Sequence, residues 1–417
     1  MERTLIRNIQ LPAKEDFKTV SLSFLYFFCL MTAYFILRPV RDEMGIRSGT
    51  DNLQWLFTGT FLAMLLVVPI FGWLAKSFDK KVFLPTVYVV FLLQLIAFYV
   101  MMLNSRFLVA ISAGFYIWLS VFNLFIVSLF WSLMSDLMNR EKAKIYFPTI
   151  AAGGTTGAII GPGISAFFAT YIGTENLLLI AAAFVGLTLI FLMILLNNSD
   201  QKFKTTRQLE NQETNIFEGV TSMLKSAKLS GIGIFVLLYT CLSTFLYFEQ
   251  AHIVSSEIIE SDQRTTYFAL RDIGTNVLTL ALQFFITRNL IGRFGLAFGL
   301  LIVPLLTALL FFALGINPGL SVLAAAQILY RSGNHAIQKP SREILFTEVS
   351  DNERYQGKNF IDTAVYRGGD ALSGWGFAAL TTIGLSLSAI AFVAIPIALL
   401  WSYSGYLIGK FKKVSFA

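Results

Sequence analysis

The sequence is poor in the side chains that enzymes most often work with. Its 417 residues include two cysteines and two histidines. Cys29 and Cys241 each lie inside an apolar run, and His252 and His335 have no partner at ligand spacing, so a disulfide framework and a zinc site are excluded. No Walker loop occurs: Gln356-Gly357-Lys358 lacks the upstream glycine and the following Ser or Thr. Charged residues make up only 14% of the chain, which rules out an ordinary soluble domain of this length. Hydrophobic residues make up 56%, and phenylalanine alone numbers 40, the composition of a chain dissolved in lipid. Neither catalysis nor a cofactor is expected.

Apolar runs of about 20 residues predict about twelve membrane spans, at 18–38, 53–75, 82–103, 107–134, 147–171, 177–196, 231–253, 266–288, 294–315, 319–339, 359–382 and 386–408. The first run is too long for a signal peptide and has no small-residue cleavage site, so it is expected to remain as span 1. Basic residues fall on alternate connections, among them Lys76, Lys80 and Lys81; Arg140, Lys142 and Lys144; Arg342, Arg354 and Lys358; and Lys410, Lys412 and Lys413. The opposite connections are short or acidic, which predicts a multi-pass protein of the bacterial inner membrane with both termini cytoplasmic. The net charge of +7 is scattered over these loops, so lipid and not nucleic acid is the expected macroscopic partner, and a monomer is expected. A polar linker at 198–230 separates an N-terminal half, 1–197, from a C-terminal half, 231–417.

The halves repeat. Setting Arg140 on Arg354 brings Lys144 onto Lys358, Thr149 onto Thr363 and Gly154 onto Gly368, an offset of 214 residues. Cys29-Leu30-Met31-Thr32 against Cys241-Leu242-Ser243-Thr244 gives nearly the same offset. The fold expected is an all-α integral membrane protein of two pseudo-symmetric six-helix halves, which resembles the major facilitator superfamily. Gly72 to Lys81 resembles that superfamily's signature between helices 2 and 3, with Lys76 where the signature has Asp.

Ionisable residues inside such spans cost about 3 kcal/mol each near the bilayer centre, so they must face protein, water or substrate. In the most charged stretch Lys358, Asp362, Tyr366 and Asp370 share a helical face, with Arg367 one turn from Asp370. Span 1 ends in Arg38, Arg41, Asp42 and Glu43, which read as cavity groups or as an interfacial anchor. Arg331 falls about 18 Å along its span, on a face with Gln327, Asn334, His335 and Gln338, and reads as a pathway residue or as one half of a structural ion pair. Arg271 precedes a stripe of Asp272, Asn276, Thr279 and Gln283 that reads as cavity lining. Tyr239, Ser243 and Gln250 share a face, and Glu249 is either a proton carrier or a salt-bridge partner of Arg271. Gly153, Gly157 and Gly161 form a helix-packing stripe. The candidate substrate contacts are Arg38, Arg41, Asn123, Tyr239, Arg271, Asn276, Arg331 and Asn334. The candidate coupling or gating residues are Asp42, Lys144, Glu249, Asp272, His335, Lys358, Asp362, Arg367 and Asp370. Arginine in place of lysine favours bidentate recognition of phosphate or carboxylate.

Four segments resemble the ATP/ADP translocase (nucleotide transporter) family: Tyr34 to Asp42; Phe130-Trp131 with Glu141 to Pro148; Lys339-Pro340-Ser341-Arg342-Glu343; and Gly357-Lys358 through Asp362 to Arg367 and Gly369. The sequence departs from that family at Arg41, where a Lys is usual, and at Asp370. The resemblance implies exchange of ATP for ADP or related nucleotides. The expectation is an alternating-access carrier of a phosphorylated or other organic anion, with Arg38, Arg41, Arg271 and Arg331 in the cavity and Arg367 with Asp362 as a latch. A proton-coupled exporter of a metabolite, siderophore or drug is the alternative within transport, and a non-transporting receptor or scaffold the alternative outside it.

Overall fold

A computed structural model describes residues 14–198, 216–347, 349, 357, 358 and 360–410, and every regular element among them is helical. The first half gives α1 (Lys14–Arg47), α2 (Leu53–Ser77), α3 (Lys80–Met102), α4 (Leu108–Leu137), α5 (Arg140–Ile172) and α6 (Leu177–Asn198). Residues 199–215 of the predicted linker lie outside the described residues; its remainder carries α7 (Ile216–Lys225) and the start of α8 (Ala227–Glu257), and α9 (Ser261–Leu282) and α10 (Arg288–Phe294) follow. The chain continues through α11 (Leu296–Ile316), α12 (Leu320–Gly333), α13 (Lys339–Phe346), α14 (Tyr366–Thr382) and α15 (Leu387–Lys410).

Among the described residues nine helices are long and apolar enough to cross a membrane. The predicted spans at 266–288, 319–339 and 359–382 are not among them, for a common reason. Each carries several ionisable or amide side chains and is interrupted by a π-helical turn, at Gln283–Thr287, Asn334–Gln338 and Ile361–Val365 respectively. A π turn inserts a residue into the α ladder and recurs where a helix bends around a polar site.

The described residues fall into two compact units, the first drawn from Met1–Met44, Ala63–Glu210 and Glu260–Leu270, the second from Gly45–Leu62, Asn211–Ile259 and Arg271–Ala417. In the first unit the glycine stripe of α5 lies directly on the backbone of α1. A Cβ on Gly153, Gly157 or Gly161 would come within 2.5 Å of the Phe24 carbonyl oxygen, 2.6 Å of that of Phe28 and 2.7 Å of that of Thr32. Lipid supplies little hydrophobic drive between helices, so this closeness, with its dispersion contacts, is what holds α1 to α5. The Ser165 hydroxyl, one turn further on, donates to the Ile36 carbonyl at 3.0 Å. Phe27 of α1 also stacks on Phe130 at 4.1 Å between centroids, and the buried hydroxyls of Tyr26 and Tyr88 satisfy one another at 2.7 Å.

One expectation about α1 needs correction. The sequence ends its span at 38, before Pro39, but the helix runs through Pro39 to Arg47. Asp42 and Glu43 are therefore side chains in the interior of a long helix, 3% and 0% exposed, and not groups reaching for an interface.

The second unit uses the same device between α11 and α15. A Cβ on Gly405 would meet the Leu300 carbonyl at 2.7 Å, and one on Gly409 the Ala297 Cα at 2.4 Å. Trp401, fully buried on α15, packs its ring against Phe235 of α8.

The α1–α5 contact can be tested by one added methyl group. Gly157→Ala must push backbone apart and is expected to cost about 1 to 3 kcal/mol, whereas Gly163→Ala on the same helix has nothing within 4 Å and should be neutral. Melting temperatures of the two purified variants in detergent measure the difference, and equal values would show that the helices part without cost.

Candidate functional site

Two of the π turns of the second unit face one cavity of about 350 Å³, lined by Phe235, Val236 and Tyr239 of α8, Asn334, His335 and Gln338 of one π turn, Lys339 and Arg342 of α13, Asp362 of the other π turn, and Tyr366 and Arg367 of α14. Tyr239 organises the aromatic wall. Its hydroxyl accepts from Asn334 Nδ2 at 3.0 Å, and its ring lies 5.9 Å from that of Tyr366 and 6.1 Å, nearly parallel, from that of Tyr330. The opposite character comes from charge. Lys339, Arg342 and Arg367 bring three cations to the lining, while Asp362 is the one carboxylate among its described residues. Arg342 Nη2 holds Asp362 Oδ1 at 3.0 Å. Arg367 instead lies 3.8 Å from Asp370, whose other oxygen accepts from Thr244 at 3.2 Å. Arg367 and Asp362, which the sequence pairs as a latch, thus have different ionic partners. Lys358 pairs with Glu343.

Deeper in the same unit Arg271 is fully buried and well served. Its Nε and Nη2 donate to Asp272 Oδ1 at 3.1 and 2.6 Å, and its Nη1 donates to Gln250 at 2.8 Å. Arg331 joins at the edge, Nη1 4.0 Å from the same Asp272 oxygen and Nε donating to Gln327 at 2.9 Å, while Gln327 in turn donates to the Leu246 carbonyl. Asp272, 1% exposed, therefore belongs to this ionic knot and does not line the cavity, and neither Arg271 nor Arg331 lines it. Asn276 is half-buried one turn beyond Asp272. Glu249 stands apart: it is 1% exposed, both its oxygens meet no hydrogen-bond partner among the described residues, and Arg271 is engaged elsewhere.

In the first unit the Arg41 guanidinium lies 4.1 Å from the Tyr116 ring centroid, and Arg38 5.6 Å from that of Phe35. Glu43 accepts a fork from Arg264 at the start of α9, Nε at 2.6 Å and Nη2 at 2.8 Å. Beside that fork, Asp262 Oδ1 accepts from the Thr174 amide at 2.8 Å and the Thr174 hydroxyl at 2.6 Å. Asn123 is half-buried on α4, and Lys144 is exposed on α5. Arg354, the repeat partner of Arg140, lies outside the described residues.

Arg342 reads in sequence as a loop cation because the predicted span ends at 339. The helical path continues to Phe346, so Asn334, Gln338 and Arg342, four residues apart, bring one lining to the cavity. That spacing is the signal by which sequence could find them. Arg264 is hidden in the same way, as a residue of a short connection.

Buried ionic groups on helices that break around a polar cavity, inside an otherwise apolar bundle, are the arrangement of a membrane carrier. The chain belongs to the Major Facilitator Superfamily, whose family model matches residues 19–337. It is accordingly an all-α, multi-pass membrane transporter. Among curated proteins it is similar to ADP,ATP carrier protein 1 of Chlamydia muridarum (strain MoPn / Nigg), 21% identical over 85% of this chain and 80% of that one. The protein of the same name from Chlamydia trachomatis serovar D is 20% identical over 95% and 89%. Among solved structures the nucleoside transporter NupG superposes with a TM-score of 0.65 at 16% identity, covering 95% of this chain and 99% of that one.

The Arg271 knot makes a stability prediction. Arg271→Met takes the nearest counter-charge from the buried Asp272 and should cost about 3 to 5 kcal/mol, and adding Asp272→Leu should recover most of it. Thermal unfolding of the single and double variants decides; an unchanged melting temperature in Arg271→Met would mean that the pair contributes nothing to folding.

Proposed function

We propose that this carrier moves a nucleotide or a related phosphorylated anion, by exchange. The observation that carries the reading is the cavity itself, in which Lys339, Arg342 and Arg367 outnumber Asp362 beside Tyr239 and Tyr366. Guanidinium and ammonium groups suit phosphate oxygens, and tyrosine rings suit a flat heterocycle. The names of the relatives, ADP,ATP carriers and a nucleoside transporter, support the same substrate class. The chain would sit in a bacterial inner membrane with its linker and termini in the cytoplasm, because the basic connections lie on that side. Single cysteines at Ser199 and Asp262 test this: a membrane-impermeant reagent applied to intact cells should label only the second.

Proteoliposomes preloaded with ADP should take up ATP several-fold faster than empty ones, and Arg342→Gln should remove that uptake. Equal uptake by empty and loaded vesicles would rule out exchange, and no nucleotide uptake at all would rule out the substrate.

Glu249 supports a second reading, coupling to protons. A carboxyl with no hydrogen-bond partner in an apolar interior is costly to keep charged, and gaining or losing a proton there during the cycle would tie transport to a pH gradient. Uptake driven by an imposed gradient, and lost in Glu249→Gln while exchange persists, is the expected result; indifference of both proteins to the gradient would leave Glu249 as a packing residue.

A further inference from the structure

Two polar groups in the cavity wall stand out because nothing among the described residues satisfies them. Gln338, 2% exposed, has neither its amide nitrogen nor its oxygen in a hydrogen bond, and the Arg342 Nε is buried and equally without a partner. Buried groups of this kind are rare in folded proteins, and each costs free energy until a partner arrives. The two residues are four apart, and both line the same cavity. The Arg342 fork is therefore only partly used. Asp362 takes Nη2 at 3.0 Å, Glu343 lies 3.7 Å away, and the Nε edge, where a second oxygen of a bidentate anion would bind, is unmet. Arg271, in the same unit, gives both Nε and Nη2 to its carboxylate and a third donor to Gln250. Asp362 is also in a position to leave: its side chain is 33% exposed, against 1% for Asp272, and it rides on the π turn Ile361–Val365.

We propose that Asp362 and the anionic group of the substrate take turns on Arg342. The carboxylate is the protein's own stand-in for a phosphate; an arriving phosphate displaces it, takes the Nε and Nη2 edge of Arg342 together, and receives the Gln338 amide. This rests on the reading of the cavity as the anion site and adds a role for one residue. Asp362 weakens binding by competition, so that a substrate held by three cations can still be released. A residue that merely positioned Arg342 would do the opposite, and its loss would weaken binding.

The test measures binding of ADP and of pyrophosphate to the purified full chain by calorimetry, for the wild type and for Asp362→Asn, with Asp362→Ser in reserve should the first fail to fold. The competitor role predicts that either variant binds the anion about tenfold tighter or more, that exchange slows because release slows, and that Gln338→Leu weakens binding in both backgrounds. Equal or weaker binding by the Asp362 variants overturns the proposal, and leaves the nucleotide reading standing if the wild type binds ADP. Tighter pyrophosphate binding with no ADP binding supports the proposal and sinks the nucleotide reading. No binding of either anion by any variant overturns both.

Discussion

The structure turns on the cost of an ionised group in an apolar interior. A charge there is tolerated only where a counter-charge and hydrogen bonds replace water. In the first unit the solution is Glu43, buried on α1 and held by the Nε and Nη2 edge of Arg264. In the second it is Arg271, whose donors reach Asp272 and Gln250. Each solution requires a helix to bring a long polar side chain to one place, and each therefore fixes the register of the helix that carries it.

Backbone geometry is fitted to that requirement. Where helices need only adhere, glycines let the main chains touch, as α5 touches α1 and α15 touches α11. Where polar side chains must gather, the helix changes pitch instead. The π turns at Asn334–Gln338 and Ile361–Val365 carry cavity residues, and the Thr287 hydroxyl of a third π turn donates to the Ala336 carbonyl of the first at 2.9 Å, tying the two broken helices together. The segments with the most chemistry are thus the ones missing from the nine described helices long and apolar enough to cross a membrane.

The same cost explains how far the fold and the site are legible in the sequence. Apolar length locates the helices well because insertion energy depends on composition, which the sequence displays directly. The glycine stripe of α5 is legible for a similar reason: absence of a side chain has one common use between helices in lipid. Pairings are less legible. Arg367 and Asp362, paired as a latch, stand five residues apart, about 140° around a regular helix; Arg367 instead meets Asp370 three residues on, and Arg342 reaches Asp362 from another segment. Ending a span at Lys339, or at Arg38 before a proline, assigns cavity and core residues to loops. In both cases charge reads as a sign that the helix has left the membrane, when it marks the part of the helix that the protein itself solvates.

The degree of satisfaction then separates residues of the same type. Arg271 and Arg342 are both arginines on broken helices of one unit, each beside an aspartate. The first is fully buried, with its donors engaged by groups that do not line that cavity, so an incoming anion would have to pull apart a paired, dehydrated knot. The second keeps one edge unmet, beside an unmet glutamine and a partner that water can reach, so an anion there would gain hydrogen bonds and cost only a part-exposed ion pair. Sequence alone ranks Arg331 and Arg271 above Arg342, because it can weigh depth in the membrane but not completeness of bonding. For a carrier, completeness is the more telling quantity, since a group that is already satisfied has little left to offer a substrate.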